Sequence, residues 1–189
     1  MTVRDILLYP EHKAALRKKS EPVRKLNRSV RKLIDDLKDT LTAHPGGIGL
    51  AAPQVNVHHR VVIVRLGAKS EEGDEAGPPI ALINPVIAEA QDERQDFDGC
   101  LSFPGLYGQT IRPHYLRVTG LDETGKLFDR VFVGFDAVVA HHEIDHLDGM
   151  LFIDHIKQLE DLYRVRLGEA GHLVRVPVLP TMSEGAGRF

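Results

Sequence analysis

The run His142-Glu143-Ile144-Asp145-His146 carries the sharpest chemical signal in this 189-residue chain. Residues four apart lie one above the other on a helix, so both imidazoles can reach one ion. Glu143 sits about 100° further round, where it can touch water beside that ion without binding the ion itself. The chemistry this predicts is metal-dependent hydrolysis, with Glu143 moving the proton. The competing reading is a pair of buried, hydrogen-bonded histidines, and the motif alone does not separate the two.

A catalytic ion usually takes three protein ligands and keeps one position open. In one large metallopeptidase class the motif continues to a third histidine. Here Gly149 fits that extension but Phe152 stands where the histidine would be. Glu160 is the nearest downstream glutamate, and it lies beyond a break in the helix. Cys100 is the better candidate. A lone cysteine is most often a small buried hydrophobe, yet this one sits between Asp98-Gly99 and Leu101-Ser102-Phe103-Pro104-Gly105. In such a turn-like setting backbone amides can point inward, and a thiolate there suits zinc or ferrous iron.

The elements that must position these groups can be traced outward from them. Ala137–Asp148 reads as a helix, with Asp136 as N-cap and Gly149 as its stop. It is apolar over much of its circumference, which predicts a buried helix packed on sheet. A second helix is expected over Arg28–Ala43, where Val30, Leu33, Ile34, Leu37 and Leu41 recur at helical spacing and Asn27 can cap. Strands are expected at Arg60–Leu66, Ile80–Ile87, Tyr115–Leu121 and Leu127–Phe135, the last two joined by an Asp122-Glu123-Thr124-Gly125 turn. Gly67–Pro79 reads as a surface excursion, Lys157–Leu167 as one more helix, and the residues from Thr181 as a frayed end. Gly47, Gly49 and Ala51 are small enough to admit a close-lying substrate backbone. Ile48, Phe135, Val138 and Val139 are candidates for an apolar substrate pocket, or for plain core.

Composition narrows the class. A chain of this length holds one domain with a substantial core. Its 42% apolar and 27% charged residues are ordinary for a soluble protein, and a net charge of -3 gives no global pull toward nucleic acid or anionic membrane. One cysteine excludes an internal disulfide and points to a reducing compartment. The N-terminal stretch lacks the apolar run of a signal peptide, so cytoplasm is the expectation. Nine Lys and Arg crowd between Lys13 and Lys32, which reads as a solvated face or, alternatively, a docking surface for something acidic.

Gly47-Ile48-Gly49-Leu50-Ala51-Ala52-Pro53-Gln54, then Asp98-Gly99-Cys100-Leu101-Ser102, then His142-Glu143-Ile144-Asp145-His146 closely resemble the three ordered motifs of the peptide deformylases. The resemblance runs from about Ile6 to Phe152 and includes Leu8-Tyr9-Pro10, the first long helix and the Gly125 turn. It implies an α+β fold in which antiparallel sheets wrap a central helix carrying the two histidines. The chain is expected to form a single catalytic domain over residues 1–180, with 181–189 as a flexible tail. The implied activity is hydrolysis of the N-formyl group from the initiator methionine of newly synthesised proteins, releasing formate. By matching positions, Cys100, His142 and His146 would be the metal ligands and Glu143 the acid and base. Gln54 and the backbone N–H of Leu101 would be the oxyanion donors. The family commonly uses Fe²⁺, with Zn²⁺ or Ni²⁺ able to take the same site. The implied partners are N-formyl-methionyl nascent peptides and, transiently, the ribosome, with no membrane and no specific nucleic-acid sequence.

The chain departs from the family pattern at three positions. Asp98 stands for the usual Glu, His141 for Gln and Asn56 for Gly. Asp98 could still support a ligand from behind, with its reach shortened by one methylene. Arg112 is expected either to pair with Asp145 or to hold substrate backbone. Two rival readings follow from the same residues. A zinc endopeptidase would need a third ligand after His146, and a non-catalytic descendant would keep the fold and metal only to bind.

Overall fold

The computed structural model describes residues 2–68, 76–167 and 173–178. The middle of the expected Gly67–Pro79 excursion, with its acidic run Glu71-Glu72-Gly73-Asp74-Glu75, and the expected frayed end from Thr181 lie outside them. Along the chain come helices α1 (Lys13–Leu16) and α2 (Arg28–Ala43), then strands β1 (Gly49–Ala51), β2 (Val61–Val64), β3 (Ile80–Gly99), β4 (Leu106–Leu121) and β5 (Leu127–Val133). Helix α3 (Phe135–Leu147) and strands β6 (Leu162–Leu167) and β7 (Leu173–Pro177) follow. Short 3-10 turns occupy Ala52–Val55, Phe152–His155 and Leu159–Asp161. Among the described residues the strands form one antiparallel sheet in the order β1-β2-β3-β4-β6-β7, with β5 beside β4. The helix bearing the two histidines packs against β1, β2, β4 and β5, so the expected α+β arrangement around a central helix is present.

Strand β2 shows why the two helices lie where they do. Its Val-Val-Ile-Val run is buried at every position, because successive side chains point to opposite faces and both faces are covered. Val61 and Ile63 join the core shared with α2, while Val62 and Val64 join the core shared with α3. On α2, the Asn27 side chain accepts the Val30 N–H at 3.0 Å, as expected of the cap. Such a cap is worth about 1 kcal/mol. Each of the buried Val30, Leu33, Ile34, Leu37 and Leu41 contributes roughly 2 kcal/mol by leaving water. Packing, not the cap, therefore holds this helix to the sheet.

Several sequence expectations are corrected. The expected strands at Ile80–Ile87 and Tyr115–Leu121 are the ends of a much longer ribbon, in which β3 and β4 stay paired as far as Gly99 and Tyr107. The polar stretch Glu89–Asp96 has no apolar alternation to announce a strand, and only pairing across the ribbon makes it one. Helix α3 begins at Phe135 with Gly134 before it. Asp136 is not its cap, because its carboxylate instead accepts the Gly67 N–H at 2.9 Å. Residues 162–167 form strand β6, not a helix, by pairing with the free edge of β4 at Leu106–Gly108. Tyr163 and Val165 are half-buried while Arg164 and Arg166 are exposed, a period-two pattern that fits a strand.

The end of α3 depends on one glycine. Gly149 has a φ of +73° and its N–H bonds His146 O at 3.2 Å. A Cβ placed there would lie 2.2 Å from the Arg17 carbonyl oxygen. Gly149→Ala should therefore lower the unfolding free energy in urea by about 2 kcal/mol or more, from backbone strain alone before the clash is counted.

Candidate metal centre

Helix α3 presents His142 and His146 to the interior, and Cys100 meets them where β3 leaves the sheet. The three potential ligand atoms all lie within 4.8 Å of one another, with Cys100 Sγ 3.3 Å from His146 Nε2. His142 is fixed from behind, because its Nδ1 lies 2.6 Å from Asp98 Oδ1. That bond leaves Nε2 as the atom free to ligate. The shorter side chain at position 98 reaches the ring all the same. Its second oxygen, Oδ2, accepts from Arg112 Nε at 2.9 Å and from Thr110 Oγ1 at 3.2 Å.

Arg112 is fully buried and is paired with both Asp98 and Asp145. Its guanidinium also donates to His141 Nδ1 at 2.6 Å, and His155 Nε2 bonds Asp145 at 2.8 Å. Of the two roles expected for Arg112, the structure shows the pairing with Asp145 and does not bring the residue to the cleft as a substrate-binding group. It stands behind the candidate ligands, fully buried. Phe152, where an endopeptidase would place a histidine, is buried beside His142 and packs edge-on against Phe103 at 5.1 Å.

Electrostatics distinguish the two histidines. Burial disfavours the charged form of both. At His142 the Asp98 carboxylate, helped by the Cys100 sulfur, outweighs burial and raises the pKa well above the ordinary value. At His146 the charges of Asp145 and Asp98 do not offset burial, which, reinforced by His142, pushes it down to about 3. Burial would raise Asp98, but His142 and Arg112 hold it below the usual carboxylate range. The pocket therefore favours positive charge beside Asp98 and offers a neutral imidazole opposite. With a soft sulfur and two imidazoles, the donor set fits one divalent ion with a position left open.

The groups around the donors are held with equal care. Gln54 Oε1 accepts the Ala51 N–H at 2.8 Å, which orients its amide so that Nε2 donates to Ser102 Oγ at 3.1 Å and approaches Cys100 Sγ at 3.4 Å. Sequence reasoning missed Ser102, a buried group with nothing but its place in the motif to mark it. The N-terminal segment joins the loops, because Leu7 N–H bonds Gln54 O at 2.8 Å and Tyr9 N–H bonds Ser102 O at 2.9 Å. Among the described residues no protein group accepts the N–H of Leu101, which lines the cleft. Glu143 is pushed up to about 7 by burial, and its Oε2 is buried with no hydrogen-bond partner among the described residues. Gly49 makes room for it, since a Cβ there would lie 2.2 Å from Glu143 Oε1. The absence of a side chain at Gly49 thus leaves Glu143 its place in the wall of the cleft.

These residues open on a cleft of about 620 Å³ whose lining includes Ile48, Gly49, Gln54, Cys100, Leu101, Phe135, His142 and Glu143. A smaller cavity of about 50 Å³ adjoins the same groups and is lined by Ile48, Phe97, Phe135, Val138 and Val139. Val139 also belongs to the core against the sheet. Sequence reasoning missed Phe97, which lies in the polar-looking stretch of β3.

Two substitutions test this geometry. Gly49→Ala should displace Glu143 and lower kcat for the hydrolysis by about a hundred-fold, while bound metal, measured by elemental analysis, stays stoichiometric. Asp98→Asn should weaken metal retention about ten- to a hundred-fold in a chelator titration.

A sequence model of the family described as polypeptide deformylase matches residues 3–162. The peptide deformylase of Saccharophagus degradans is 42% identical over 161 residues, spanning 85% of this chain and 88% of that protein. The crystal structure of the Ehrlichia chaffeensis peptide deformylase in complex with actinonin is 37% identical, covers 84% of this chain and 91% of that one, and has a TM-score of 0.74. An Acinetobacter baumannii peptide deformylase solved bound to Met-Ala-Ser is 31% identical, covers 82% of this chain and 99% of that one, and has a TM-score of 0.74. The chain belongs to the peptide deformylases, metal-dependent hydrolases that remove the N-formyl group from the N-terminal methionine of nascent proteins.

Proposed function

We propose that deformylation in this protein is carried by Glu143, with Cys100, His142 and His146 holding one divalent ion, Fe²⁺ in the first instance and Zn²⁺ or Ni²⁺ as substitutes. The observation that carries the reading is the buried, unpartnered Glu143 oxygen beside three converging donor atoms. When bound, the ion supplies acidification of water and polarisation of the formyl carbonyl. Glu143 takes the proton of the attacking water, a task for which a pKa of about 7 is well placed. The Gln54 amide and the Leu101 N–H meet the charge that develops on the formyl oxygen, each worth about 3 kcal/mol in the transition state. Glu143 then delivers its proton to the departing amine. Ser102 acts through Gln54, holding its amide in place.

The methionine side chain enters the apolar cavity formed by Ile48, Phe135, Val138 and Val139, and Gly49 lies along the cleft wall beside it. A peptide of the Met-Ala-Ser form is then the product that leaves the cleft. We place the enzyme in the cytoplasm, where a reducing milieu keeps Cys100 available. We assign residues 1–180 to one catalytic domain. The largely exposed basic segment between Lys13 and Lys32 is suited to transient docking on ribosomes.

Glu143→Gln tests the assignment. The variant should keep its metal and lose about a thousand-fold or more in kcat, measured as formate released from formyl-Met-Ala-Ser with anaerobically prepared protein. Turnover close to that of the unsubstituted enzyme would remove Glu143 from the mechanism.

A further inference from the structure

The family match ends at residue 162, where the hairpin of β6 and β7 begins. This hairpin adds to the β4 edge and brings one side chain to the cleft. The Arg175 guanidinium lies 4.0 Å from the centroid of the Phe97 ring, and Tyr163 holds that ring edge-on from the same hairpin at 5.6 Å. Phe97 lines both the cleft and the small apolar cavity, and Arg175 lines the cleft. Among the described lining residues, Arg175 is the only Lys or Arg.

We infer that Arg175 is a specificity-determining residue that recognises an acidic side chain among the residues following the formyl-methionine. The inference rests on the deformylase reading of the cleft. A methionine side chain in the cavity beside Phe97 leaves the next residues of the peptide in the cleft that Arg175 borders. The guanidinium carbon lies over the Phe97 ring, and among the described residues its N–H donors have no hydrogen-bond partner, which leaves a fork that matches a carboxylate. Because the ring already orients the guanidinium, less side-chain freedom is lost on pairing. Phe97 and Arg175 come from strands far apart in sequence, so this subsite exists only where the hairpin is present.

The test compares C-terminally amidated peptides, so that only side chains carry the charge. Formyl-Met-Glu-Ala and formyl-Met-Ala-Glu amides are each paired with their Gln counterparts, and formate release gives kcat and KM. The Glu peptide should be preferred at one of the two positions by about five-fold in kcat/KM, the size of a partly exposed ion pair. The difference should lie in KM and shrink as salt rises. Arg175→Gln should bring the ratio to about one, and Arg175→Glu should reverse it. Equal rates for Glu and Gln at both positions in the unsubstituted enzyme would overturn the proposal even if no variant folded. So would a preference that survives in Arg175→Gln. Absence of formate from every peptide would instead strike the deformylase reading beneath it.

Discussion

A guanidinium with no access to water sits between the sheet and the central helix. Arg112 reaches from β4 to Asp98 on β3 and to Asp145 on α3. Removing such a charge from water is expensive, and the arrangement holds only because both carboxylates are close and well oriented. Breaking one side of a buried pair typically costs about 3–5 kcal/mol. The network therefore acts as a lock on the relative position of ribbon and helix. His142 stands at its other end, bonded to Asp98, so the imidazole inherits the position that the buried charges impose. Asp98, shorter than the glutamate that the resemblance implies, still completes this chain of contacts.

The rest of the site depends on convergence enforced by backbone hydrogen bonds. Gln54 lies on a 3-10 turn after β1, Cys100 at the exit of β3, and the histidines on α3. Leu7 and Tyr9 bond the first two of these loops to one N-terminal segment. The two-sided burial of β2 then fixes α2 and α3 on opposite faces of the sheet. Rigid elements on each side leave the functional groups little freedom to drift, which a hydrolytic site needs because small misplacements cost large factors in rate. Gly49 shows how tight the result is, since Glu143 fills the space of its missing side chain.

Beyond the family match, the β6–β7 hairpin shows how a free strand edge can be put to use. β4 pairs with β3 along its length but offers its other edge to β5 and β6 at different stretches. The added hairpin satisfies backbone groups at Leu106–Gly108 and carries Tyr163 and Arg175 to Phe97. An element joined at the periphery of the sheet thereby reaches the rim of the cleft.

Much of this protein was legible before folding. Helical periodicity and the Asn27 cap define α2, Gly149 marks the end of α3, and three ordered motifs identify the family because their spacing encodes local geometry. Local rules failed where pairing or burial decided the outcome. Nothing along Glu89–Asp96 announces the long ribbon, the segment expected to be a helix at Lys157–Leu167 becomes β6 by meeting the β4 edge, and Asp136 finds Gly67 instead of capping its helix. The sequence by itself determined which side chains have the chemistry to bind a metal or move a proton, since that chemistry resides in the residue types. The tertiary structure alone decided that Arg112 is buried behind the ligands, that Ser102 steadies Gln54 and that Arg175 borders the cleft. Each of those placements joins residues far apart in the chain, and only the folded backbone brings them within a few ångströms.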